Sequence, residues 1–71
     1  MKDRIVLEFD TKFFKKEHVI LAANDYIHLC WILVDGSDEK IYAVLIPKEE
    51  MDVEKLKDEF YNYVLSMVKD V

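Results

Sequence analysis

Two short apolar runs dominate the chain: Leu29-Cys30-Trp31-Ile32-Leu33-Val34 and Ile41-Tyr42-Ala43-Val44-Leu45-Ile46, separated by the turn-forming Asp35-Gly36-Ser37-Asp38. A strand with one wet face alternates apolar and polar side chains. These runs are apolar at nearly every position, so both faces of the hairpin they predict favour dry surroundings. Seventy-one residues leave little chain to cover two faces, because small domains bury a smaller share of their surface than large ones. The pattern predicts one domain, residues 1–71, that completes its core against another protein surface.

The flanking segments supply the rest of the fold. Ile5, Leu7 and Phe9 alternate with Arg4, Val6 and Glu8, the period of a strand with one strongly buried face. From about Phe14 to Tyr26 the positions Val19, Ala22, Ala23 and Tyr26 fall at helical spacing, with Lys15, Lys16, Glu17, Asn24 and Asp25 as the polar side. Ala22 and Ala23 let that helix lie close on a sheet, while Ile20 and Leu21 broaden its apolar stripe beyond what one sheet face requires. Pro47 closes the hairpin, since proline cannot donate to a central ladder. Asp52 suits the N-cap of a last helix with Glu54 in its first turn and Lys69 near its end. Val53, Leu56, Phe60, Tyr63 or Val64, Met67 and Val71 form its apolar stripe.

The predicted class is α+β, ordered β-α-β-β-α, with two helices on a three-stranded mixed sheet. A right-handed crossover through the first helix sets the first two strands parallel and the hairpin partner antiparallel. The sequence leaves open whether the third strand is central or at an edge. Both helices pack most simply on one sheet face, leaving the other bare, with Trp31, Leu33, Tyr42, Val44 and Ile46 as the candidate interface. The alternative, one helix on each face, makes the monomer self-sufficient. The bare face predicts a homodimer or a hetero-complex with a protein or peptide, because exposed apolar patches of this size mark interfaces.

Charge narrows the partner. Fifteen acidic against ten basic residues give a net charge of -5, a field that repels nucleic acid and anionic lipid. Lys12, Lys15 and Lys16 form the only local basic cluster, without the interleaved aromatics of a nucleic-acid surface. No apolar run reaches membrane length, and Met1-Lys2-Asp3-Arg4 lacks a signal-peptide pattern. Cys30, the single cysteine, reads as a reduced core thiol, so the expected compartment is cytoplasmic.

The chemistry-bearing residues assemble no reaction, and the chain reads as a non-enzyme with no cofactor. One glycine excludes a glycine-rich phosphate loop. His28 and Cys30 stand two apart in a predicted strand and would share a face, yet two ligands do not hold a metal. His18 beside Glu17 reads as a surface histidine. Ser37 and Ser66 lack a nucleophile's context, and the carboxylates are dispersed. Trp31, Tyr26, Tyr42, Tyr61 and Tyr63 suit core packing or interface anchoring. Asn62, in mid-helix beside the apolar stripe, points to a hydrogen-bonding duty toward a loop or a partner.

Several segments together resemble the small HxsD family of the His-Xaa-Ser peptide-modification system. Phe14-Lys15-Lys16-Glu17-His18-Val19-Ile20-Leu21-Ala22-Ala23 is similar to its aromatic, polar, Glu, aliphatic and Ala pattern. Tyr26 and Cys30-Trp31-Ile32-Leu33 resemble the next aromatic and the Cys-aromatic strand. Ile46-Pro47-Lys48 resembles the strand-ending Pro-Lys, and Glu59-Phe60-Tyr61-Asn62 with Leu65 the closing Glu-Phe-x-Asn helix. The chain departs in Tyr63-Val64-Leu65-Ser66, where an acidic and leucine-rich continuation is usual, and in a basic helix end reduced to Lys69. The resemblance implies an accessory protein of radical enzymes that modify a ribosomally made peptide, without catalytic residues of its own. Such chemistry would belong to a partner, since an iron-sulfur cluster needs clustered cysteines.

Overall fold

The computed structural model describes residues 4–69. Its elements run β1 (Ile5–Asp10), α1 (Lys16–Asn24), β2 (Cys30–Gly36), β3 (Lys40–Pro47) and α2 (Val53–Lys69). Among the described residues, no helix is long and apolar enough to cross a membrane. The strands form one sheet in the order β1-β3-β2, and β3 is antiparallel to both neighbours. β1 and β2 therefore run in the same direction, as a crossover through α1 requires, but they are not adjacent. The expected mixed sheet is instead wholly antiparallel in its ladders, because β3 folds back into the gap between them and pairs along both of its edges.

Strand parity sorts the side chains. Ile5, Leu7 and Phe9 pair in register with Leu45, Ala43 and Ile41, and all six are buried. On β2, Ile32 and Val34 stand beside Leu45 and Ala43 and are half-buried. Against this face lie Val19, Ala22 and Ala23 of α1 and Leu56, Phe60 and Val64 of α2, forming one core. Both helices thus cover the same face. Ala22 is fully buried, consistent with a small side chain allowing close approach.

The core is rich in aromatics. Phe9 meets the edge of Phe14 at 5.0 Å between centroids and stacks on Tyr61 at 5.6 Å. Phe60 is wholly buried between Phe9 and Tyr26. At the start of α2, the Asp52 carboxylate accepts the backbone N–H groups of Glu54 (3.1 Å) and Lys55 (3.2 Å), as an N-cap does. α1 has no such side-chain cap at Lys15 and is shorter than its apolar spacing implies. Val71 of the α2 stripe lies outside the described residues.

The hairpin turn falls later than Asp35-Gly36 suggests. Those two residues continue β2, and Ser37–Glu39 make the connection, closed by the Ser37 N–H donating to the Lys40 carbonyl (2.8 Å). Thr11 ties the end of β1 to this loop, its hydroxyl donating to the carbonyls of Asp38 and Glu39. Gly36 keeps an ordinary negative φ. It is needed for space: a Cβ there would stand 2.9 Å from the Lys40 carbonyl oxygen and 3.2 Å from the Ile41 Cα. Gly36→Ala is expected to cost about 1–3 kcal/mol through this backbone clash, read as a lower urea midpoint at unchanged slope.

Candidate interaction surfaces

Among the described residues, no element packs on the second face of the sheet. Its rows follow from the register. Trp31 pairs with Ile46, Leu33 with Val44 and Asp35 with Tyr42 across β2 and β3, while Val6 pairs with Val44 and Glu8 with Tyr42 across β1 and β3. The apolar centre is therefore Val6, Val44 and Leu33 in one row, flanked by Ile46 with Trp31 on one side and Tyr42 on the other. Leu33 is 67% exposed, Trp31 62% and Val6 53%. Val44 and Ile46, on the middle strand, are half-covered by these neighbours. Each large side chain left open forgoes burial worth about 1.5–3 kcal/mol.

Trp31, Leu33, Tyr42, Val44 and Ile46 thus lie together on the uncovered face. Val6 extends it, although its neighbours Arg4 and Glu8 suggest a polar edge; the signal was a lone valine at an outward parity. Leu29 continues it beyond β2, where its carbonyl accepts the Lys48 N–H at 3.0 Å. The Lys48 ammonium sits over the Trp31 ring, 4.4 Å from its centroid, where the ring quadrupole attracts a cation.

A second surface lies at the sheet edge. Val6, Leu7 and Glu8 of β1 face Lys57, Asp58, Tyr61 and Asn62 of α2 across an open groove of about 380 Å³. Three consecutive strand residues of both parities line it, so the groove runs along the strand's edge. Among the described residues, no backbone group of Ile5–Phe9 bonds to anything outside the β1–β3 ladder, leaving an edge able to accept a further strand. Asn62 is exposed beside it.

Four of the five remaining family-like positions lie in the interior. Ala22, Cys30, Pro47 and Phe60 are buried, and Pro47 pairs with Cys30 where β3 ends. Glu17 is exposed in the first turn of α1. His28 lies in the turn before β2 and is exposed, whereas Cys30 points into the core with its thiol 3.5 Å from the Tyr26 carbonyl. They do not share a strand face, which corrects the spacing argument for a shared ion. His18 is half-buried rather than on the surface, and its Nδ1 is enclosed without a hydrogen-bond partner.

Tyr63 on α2 donates its phenol proton to the Asp25 carboxylate at the end of α1, joining the helices. That hydrogen bond, then burial and the Asp25 charge, hold the Tyr63 phenol above its ordinary value. Burial, then the Glu59 charge, does the same for Tyr26. Burial also raises the Cys30 thiol against a smaller opposing pull from Lys48. All three bind their protons more tightly folded than unfolded. Their stabilisation is complete below the ordinary values and is lost as pH rises through the raised ones. Urea midpoints are expected to fall from about pH 9 upward, and Tyr63→Phe to remove part of that fall.

The chain matches no family model, no curated protein and no solved structure.

Proposed function

We propose that this domain is a non-catalytic binding module that receives an extended segment of a partner as an added strand along β1. The observation that carries the reading is the unpartnered β1 edge beside a groove in which Asn62 is exposed. Backbone pairing along β1 would supply affinity, and the groove would select alternate side chains of the incoming strand. The Asn62 amide, both donor and acceptor, suits the peptide groups of such a strand. Asn62 closes the Glu-Phe-x-Asn segment through which the chain resembles HxsD proteins, so the fitting partner is a precursor peptide or the radical enzyme that modifies it. The chain would then be an accessory that presents substrate, with the radical chemistry held by the enzyme.

The test begins at the gene locus, where a radical enzyme and a short repeat-bearing peptide are expected as neighbours. Titrating that peptide into the isotope-labelled domain is expected to shift the amides of Val6, Leu7 and Glu8 first. Asn62→Ala is expected to weaken binding about five- to tenfold, the worth of one hydrogen bond of about 1 kcal/mol or slightly more, with circular dichroism unchanged. Shifts confined to other surfaces, or wild-type affinity in the variant, would remove the β1 edge as the site.

A further inference from the structure

The uncovered sheet face adjoins the β1 edge, sharing Val6 and Glu8 with its groove, and its charges specify an occupant of their own. Along the strands, the apolar centre is bordered by opposite signs at its two ends. At one end stand Glu8 and Asp35, both in register with Tyr42 on the outward parity. Asp10, one outward position further, is offset by Lys40 directly across the ladder. At the other end stand Lys48, stacked on Trp31, and Arg4, exposed and two residues before Val6 at the same parity. Lys48, Glu49 and Glu50 all lie past the end of β3, and of these Lys48 is the one held against the face by its stacking on Trp31.

We propose that this face pairs with the same face of a second copy of the chain, about a two-fold axis that crosses the strands at the Val6–Val44–Leu33 row. Two identical sheet faces can pair about an axis along the strands or across them. With the axis along β3, β1 lies over β2 of the second copy. Glu8 then meets Asp35 and Arg4 meets the Trp31–Lys48 pair, like charge on like at both ends. With the axis across the strands, each strand lies over its own counterpart, run in reverse. Glu8 then faces Arg4, Asp35 faces Lys48 over Trp31, Tyr42 faces Ile46, and the two Val44 side chains meet at the centre.

Apolar burial and both sets of charges are satisfied together only in the second arrangement. The chemistry selects a copy of this chain over an anionic or cationic partner because the face carries both signs, spaced to complement themselves. Strands about 4.8 Å apart with a rise of about 3.3 Å per residue give a face roughly 14 by 23 Å over the seven residues of β2. That is below the roughly 800 Å² per partner of a stable interface, so the dimer is expected to be weak and transient, with a dissociation constant in the upper micromolar range.

The experiment is sedimentation of the full chain from about 1 to 300 µM, a span around micromolar dissociation constants, with no peptide present. Wild type is expected to pass from monomer to dimer within it. Glu8→Arg and Arg4→Glu are each expected to weaken the dimer about tenfold or more, since each reversal appears twice in a symmetric pair. An equimolar mixture of the two variants is expected to regain wild-type affinity as a heterodimer, because each reversed charge then meets its complement. Were the axis to lie along the strands, both single variants would tighten the dimer, and that result overturns the proposal. Equal affinity in all samples, or a wild type that stays monomeric throughout, also overturns it. Each of these failures leaves peptide addition at β1 untouched, since that reading is measured by amide shifts with peptide present.

Discussion

Phe60→Asp is expected to leave the chain without a cooperative fold. The Phe60 ring has no exposed surface and packs edge-on against Phe9 at 6.5 Å and Tyr26 at 5.3 Å. Truncating a buried phenylalanine costs about 3–5 kcal/mol, and a carboxylate left in that space without a partner adds a further penalty of several kcal/mol. A domain of 71 residues has about 4–10 kcal/mol of stability in total. The far-ultraviolet circular dichroism of this variant should be that of an unfolded chain, with no thermal transition. Phe60→Leu, which keeps the site apolar, should fold with a lowered midpoint. A native spectrum for Phe60→Asp would mean that the α2 stripe is not the centre of the core.

The opposite separation is expected for Val44→Asp and Tyr42→Asp. Their side chains lie on the second face, over a backbone whose ladder is complete on both sides. The carboxylates remain in contact with water in the monomer, so its spectrum should be retained at a modest loss of stability. Self-association should disappear. In the proposed pairing of Val44→Asp, the two introduced carboxylates would meet at the axis, where desolvation and repulsion act together. Sedimentation and circular dichroism on the same samples distinguish this from unfolding. If both variants unfold as completely as Phe60→Asp, the second face is core within one chain.

The sites of these aspartate substitutions differ in what fixes their burial. Phe60 was legible because helical periodicity places Leu56, Phe60 and Val64 on one stripe whatever the neighbouring elements do. Asp52 was legible as a cap because its chemistry is local. Trp31, Leu33, Tyr42, Val44 and Ile46 share a face because strand parity and hairpin register are also local properties. The shared position of His28 and Cys30 failed for a local reason too. The bonds from Leu29 and Cys30 N–H back to the Tyr26 carbonyl keep His28 in a turn, so no strand parity joins it to Cys30.

Local patterning along the chain settles the order of elements, the apolar stripe of each helix and the excess of apolar strand surface over what two helices can cover. The central place of β3 emerges in the folded domain alone, since pairing of segments distant along the chain depends on how the whole sheet closes over the helices. That choice put Val6 of β1 beside Val44, opened the β1 edge against α2, and brought Glu8 level with Asp35 and opposite in sign to the Arg4 and Lys48 end. These juxtapositions join residues roughly thirty to more than fifty positions apart, and local periodicity carries no information about them.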